Sequence, residues 1–106
     1  TLVNGIFITI ITQYWIMHKR ITVNFKGRVQ GVGFRWRVMQ VAKLFPCTGY
    51  VKNLMDGSVE LVIEGAGNDA NRMVDAVNLE MQDYWNEQTI DERLGDAHFS
   101  GFEIRY

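Results

Sequence analysis

Apolar and polar residues alternate from Ile21 to Arg28. Ile21, Val23, Phe25 and Gly27 fall on one side and Thr22, Asn24, Lys26 and Arg28 on the other, the period of a half-buried strand. After glycines at 27, 31 and 33 the period changes. Phe34, Val38, Val41 and Phe45 recur at helical spacing while Arg35, Arg37, Gln40 and Lys43 lie off that stripe, which predicts a helix ending before Pro46. Thr48 to Lys52 and Ser58 to Glu64 read as strands, and the NLMDGS link between them carries Asp56-Gly57, a hairpin signal that predicts antiparallel pairing. Beyond Gly65 and Gly67, with Asn68 and Asp69 as candidate caps, Ala70, Met73, Val74, Val77 and Met81 mark a second amphipathic helix that ends around Asp83. Thr89 to Leu94 reads as a polar, exposed strand and Phe102 to Tyr106 as a short last one.

This order fits an α+β, ferredoxin-like plan: a split β-α-β sandwich, with an antiparallel sheet, two helices on one face and an extra short C-terminal strand. That plan hosts enzymes, RNA binders and metal carriers alike, so function must come from a site.

Composition narrows the site. With 106 residues the chain is expected to form one domain, and 11 Lys plus Arg against 12 Asp plus Glu give a net charge of -1. There is no global positive field, so any anion site must be local. Cys47 has no second cysteine to pair with, and His18 and His98 add too few ligands for structural zinc, so metal-free chemistry is expected. Leu2 to Ile16 carries no charge, yet it is shorter than the roughly 20 residues that span a bilayer and lacks a basic leader and a cleavage site. Residues 1–16 are therefore expected to be an apolar N-terminal extension outside the core, residues 17–106 the domain, and the location cytoplasmic.

Between the first strand and the first helix the chain runs GRVQGVGFR, from Gly27 to Arg35. Its glycines let successive N–H groups turn inward as an anion-binding nest at a helix N-terminus. No Gly-Lys-Ser/Thr closes the loop as in a Walker A motif, and Trp36 stands where a dinucleotide fingerprint needs its third glycine, so no nucleotide cofactor is expected. A glycine-rich turn alone is more often loop punctuation. Arg35 shifts the balance, because a cation in the first turn of a helix gains nothing from the helix dipole, whereas its planar fork suits two phosphate oxygens. The side chains of Arg28 and Arg37 read as solvated surface charges.

The stretch GRVQGVGFR, followed by GYVKN at Gly49 to Asn53, resembles the acylphosphatase signature, including the spacing from arginine to asparagine. The likeness runs through DGSVELVIEG and the FEIRY ending and covers about residues 18 to 106, although Tyr84 to His98 match only in character. The resemblance implies that Gly27, Arg28, Val29, Gln30, Gly31, Val32 and Gly33 cradle the phosphate, with Arg35 and Asn53 catalytic. It also implies hydrolysis of a carboxyl-phosphate anhydride to carboxylate and inorganic phosphate, without metal or cofactor. The chain is expected to act as a monomer on a small-molecule acyl phosphate, with no nucleic-acid or membrane partner. Such a substrate leaves as a carboxylate that needs no proton, so charge and position are what remain for the protein to supply, and an asparagine amide can orient a water. Lys52 points away from Asn53 by strand alternation. Trp36 and Tyr50 read as packing residues rather than substrate-stacking ones. The rivals are a non-catalytic phosphate binder and an RNA-binding module that stacks bases on Phe34 and Trp36; the latter requires both aromatics on an open strand face.

Overall fold

The computed structural model describes residues 18–106. The apolar stretch 1–16 lies outside the described residues. The elements are β1 (His18–Gly27), α1 (Phe34–Ala42), β2 (Thr48–Asn53), β3 (Val59–Ala66), α2 (Asp69–Glu80), β4 (Trp85–Gly95) and β5 (Phe102–Arg105). They build a five-stranded sheet in the order β4-β1-β3-β2-β5.

β1 pairs antiparallel with both β3 and β4, and β2 pairs antiparallel with β3. The added strand β5 runs parallel to β2, from Gly49 opposite Phe102 to Lys52 opposite Arg105, so the complete sheet is mixed. A parallel neighbour needs a long return connection, which here is everything from β3 to the loop before Phe102.

Alternation decides which face is dry. Ile21, Val23, Phe25, Val51, Val59, Leu61 and Ile63 form one continuous core with Phe34, Val38 and Val41 of α1 and Ala70, Met73, Val74 and Val77 of α2. Both helices therefore cover the same face of the sheet, where each large apolar side chain contributes about 1.5–3 kcal/mol by leaving water. Phe25 sits at the centre, its ring 5.2 Å from that of Phe34 and 6.1 Å from that of Trp85.

The structure moves several boundaries. α1 stops at Ala42 and a turn carries the chain through Pro46. β4 starts at Trp85 rather than Thr89, because pairing with β1 extends the strand over polar residues that carry little hydrophobic signal. β1 ends at Gly27, which leaves Arg28 in the loop.

Candidate active site

The β1–α1 loop turns because Gly31 and Gly33 adopt left-handed backbone angles, φ 77° and 75°. Gly33 is also the N-cap of α1, with no side-chain cap and no acidic residue in the first turn. The helix start is left open to solvent-borne anions, where N–H groups and the positive end of the helix dipole converge.

A cavity of about 250 Å³ lies against that helix start, lined by Val29, Gly31, Gly33, Phe34, Arg35, Trp36, Asn53, Ile104 and Tyr106. Arg35 and Asn53, separated by 18 residues in the chain, thus share one cavity. The first turn of α1 supplies Arg35, and the end of β2 supplies Asn53. The Oδ1 of Asn53 is buried and has no hydrogen-bond partner among the described residues. A buried acceptor without a partner costs about 1–3 kcal/mol, and a bound water or ligand relieves that cost. Among the described residues, no side-chain carboxylate, imidazole or thiol lines the cavity.

Of the loop residues from Gly27 to Gly33, the cavity is lined by Val29, Gly31 and Gly33. The others serve the loop differently. A Cβ on Gly27 would lie 2.7 Å from the Tyr84 carbonyl oxygen and 2.9 Å from the Asn86 nitrogen, so glycine is needed there for close approach to the start of β4. Arg28 places its guanidinium 5.7 Å from the centre of the Tyr84 ring, and Arg37 places its own 5.2 Å from it. Val32 packs half-buried on the core. Gln30 is a tether: its side-chain amide donates to the Leu54 carbonyl at 2.7 Å and to the Ser58 carbonyl at 2.9 Å. Those carbonyls belong to the hairpin that begins at Asn53, so one side chain fastens the glycine loop to the strand end across the cavity.

The hairpin itself is braced. Asp56 accepts from the backbone N–H of Ser58 at 3.0 Å and from its hydroxyl, and Asn24 of β1 donates to that same hydroxyl oxygen at 2.9 Å. These bonds hold the Asp56 carboxyl below the usual carboxylate range, the Ser58 hydroxyl contributing most.

Four lining residues, Phe34, Trp36, Ile104 and Tyr106, were not expected at the site. Trp36 stands at the rim, 64% exposed, rather than packed. Ile104 arrives on β5 and Tyr106 directly follows that strand, its ring centre 4.8 Å from the guanidinium carbon of Arg35. Their signal was the alternation of Phe102, Ile104 and Tyr106, but only the parallel pairing of β5 with β2 carries that face to the cavity. Lys52 does not line the cavity, and neither does Tyr50, whose hydroxyl donates to Glu60 at 2.6 Å. Burial and that bond to Glu60 push the Tyr50 phenol up to about 12. Phe34 and Trp36 lie in the first turn of α1, with Phe34 in the core, so the open strand face required by base stacking is not made by this pair.

A buried carboxylate sets the position of β5. Glu64 of β3 is 1% exposed and accepts the backbone N–H groups of His98 and Phe99 at 2.8 and 2.9 Å and the Nε of Arg20 at 3.2 Å. Burial pushes its carboxyl up, but the bonds from His98, Arg20 and Phe99 together outweigh burial and hold it below the usual range. The clamp anchors the loop from which β5 departs.

An open helix start, a guanidinium and an unsatisfied amide surround one cavity of an α+β domain, a setting suited to a small anion. Comparison with known proteins gives the family. The acylphosphatase family model matches residues 21–104. An acylphosphatase of Picrophilus torridus is 35% identical over 86 residues, covering 77% of this chain and 96% of that protein. One of Salinibacter ruber is 38% identical over 89 residues, covering 82% of this chain and 93% of that protein. The crystal structure of acylphosphatase from Bacillus subtilis superposes with a TM-score of 0.70 at 33% identity, covering 86% of this chain and 100% of that one. The chain belongs to the acylphosphatase family.

Proposed function

We propose that this acylphosphatase hydrolyses acyl phosphates by direct attack of a water held by Asn53 on a phosphoryl group held by Arg35 and the β1–α1 loop. The observation that carries the reading is the buried, unpartnered Oδ1 of Asn53 in the same cavity as Arg35 and the open start of α1. Arg35 and the loop N–H groups neutralise the phosphoryl oxygens, and the Asn53 oxygen accepts a hydrogen bond from the attacking water. The water oxygen bonds to phosphorus as the bond from phosphorus to the acyl oxygen breaks. That bond's electron pair leaves with the carboxylate, and the proton of the water passes to a phosphate oxygen. An amide is no base at neutral pH, and no side-chain carboxylate or imidazole lines the cavity among the described residues, so Asn53 supplies orientation rather than proton abstraction.

Turnover of a simple acyl phosphate in the presence of chelator tests the reading. The protein should release carboxylate and inorganic phosphate in equal amounts, undiminished by chelator. Arg35→Lys, which keeps the charge and loses the fork, should weaken both phosphate binding and turnover. Near-wild-type kinetics for Arg35→Lys would remove Arg35 from its role.

A further inference from the structure

A phosphoryl group held by Arg35 and the β1–α1 loop leaves the acyl part of the substrate to meet the rest of the cavity lining. Among the described residues, the large side chains there are apolar or aromatic: Phe34, Trp36, Ile104 and Tyr106. Phe34 is buried in the core, and Tyr106 presents its ring to the Arg35 guanidinium. Trp36 is uncommitted. It is 64% exposed, and among the described residues its indole N–H makes no hydrogen bond and its ring packs on no other ring or guanidinium. Apolar side chains exposed singly need no explanation, but Trp36 shares its cavity with Ile104 and the exposed Tyr106. The helix fixes its position. α1 buries Phe34 and Val38, so Trp36, about 200° around the helix from each, is turned out of the core on the turn that carries Arg35.

Charge narrows the acyl group further. Arg35 is the one cation in the lining among the described residues, and no side-chain carboxylate lines it. With that guanidinium committed to the phosphoryl oxygens, a carboxylate on the acyl part would lose water without gaining a partner, and an ammonium group would do the same. The cavity, about 250 Å³, is smaller than the roughly 300–1,000 Å³ of drug-sized ligand sites, which suits a small substrate. Given the phosphoryl placement proposed above, we propose that Trp36, with Ile104, is the acyl-group subsite and selects small, uncharged, aromatic acyl phosphates by stacking the acyl ring on the indole.

Matched phosphonates test the subsite without turnover. Phenacylphosphonate and acetonylphosphonate carry a methylene in place of the bridging oxygen and so mimic benzoyl and acetyl phosphate. In calorimetric titrations of the full-length chain, phenacylphosphonate should bind about tenfold tighter than acetonylphosphonate, the gain of a ring face buried against tryptophan. Trp36→Ala should bring that ratio near one, and Trp36→Phe should keep most of it. Phosphonolevulinate, the analogue of succinyl phosphate, should bind no tighter than acetonylphosphonate. A wild-type ratio near one, a ratio that survives Trp36→Ala, or tighter binding of phosphonolevulinate than of acetonylphosphonate overturns the proposal. Steady-state assays with benzoyl and acetyl phosphate separate it from the hydrolysis reading. Turnover of both with a phosphonate ratio near one strikes the subsite alone, whereas a tenfold ratio without turnover strikes hydrolysis alone.

Discussion

The guanidinium of Arg35 rests 4.8 Å from the ring centre of Tyr106, and both side chains line the cavity that holds Asn53. A cation over an aromatic face gains about 0.5–2 kcal/mol, enough to hold a long side chain in one orientation before an anion arrives. Tyr106→Leu should therefore weaken inorganic phosphate binding by about fivefold, a loss near 1 kcal/mol. Tyr106→Phe keeps the ring face and should bind phosphate like the wild type. Calorimetric titration with phosphate checks both variants; unchanged or tighter binding in Tyr106→Leu would mean that the ring does not pre-orient Arg35.

Gln30 joins the glycine loop to the hairpin through two carbonyl acceptors, so its loss acts on both walls of the cavity. Gln30→Ala should cost about 1–3 kcal/mol of stability, because the Leu54 and Ser58 carbonyls lose their donor in a half-buried setting. Phosphate affinity should fall as well, since the loop is no longer registered against Asn53. Denaturant unfolding and phosphate titration on the same preparation measure the two effects; loss of stability with unchanged phosphate affinity would confine Gln30 to folding.

Glu64 makes a pH-dependent contribution whose sign follows from its depressed folded-state value. Its stabilising effect is fully present above the ordinary glutamate value of about 4.3 and is lost as pH falls through the lower value of the folded state. Glu64→Gln cannot ionise and offers poorer acceptance to the N–H groups of His98 and Phe99. Its melting temperature should lie below that of the wild type at pH 7, and the gap should narrow as the solution is acidified below pH 4. A gap that is constant with pH would mean that the charge of Glu64 contributes nothing beyond shape.

The strand, loop and helix that build half of the site were legible because their periodicities are clean: alternation to Gly27, then helical spacing from Phe34. Arg35 stood out as a cation where the helix dipole disfavours one, and Asn53 by its distance from that arginine in a recognisable pair of motifs. Other parts were hidden by the kind of information they need. Tyr106 enters the cavity through a parallel pairing between β5 and β2, which no local pattern encodes. Glu64 occupies an outward-facing strand position and is buried only because the loop at His98 and Phe99 folds over it. Gln30 was expected in the phosphate cradle, but its tether to the hairpin was not readable, since its two acceptors lie 24 and 28 residues away. The early part of β4 is polar and is set by its partner strand rather than by its own side chains.

The division of labour between Arg35 and Asn53 is tested most directly by Asn53→Ala, with phosphate binding and acyl phosphate turnover measured on the same folded protein. Removing one polar group that acts in the transition state typically lowers kcat by about 100-fold. Asn53→Ala should show that loss while inorganic phosphate still binds within about twofold of wild type, because the loop and Arg35 are untouched. Turnover close to wild type, or phosphate binding lost together with turnover, would contradict the assignment of water orientation to Asn53.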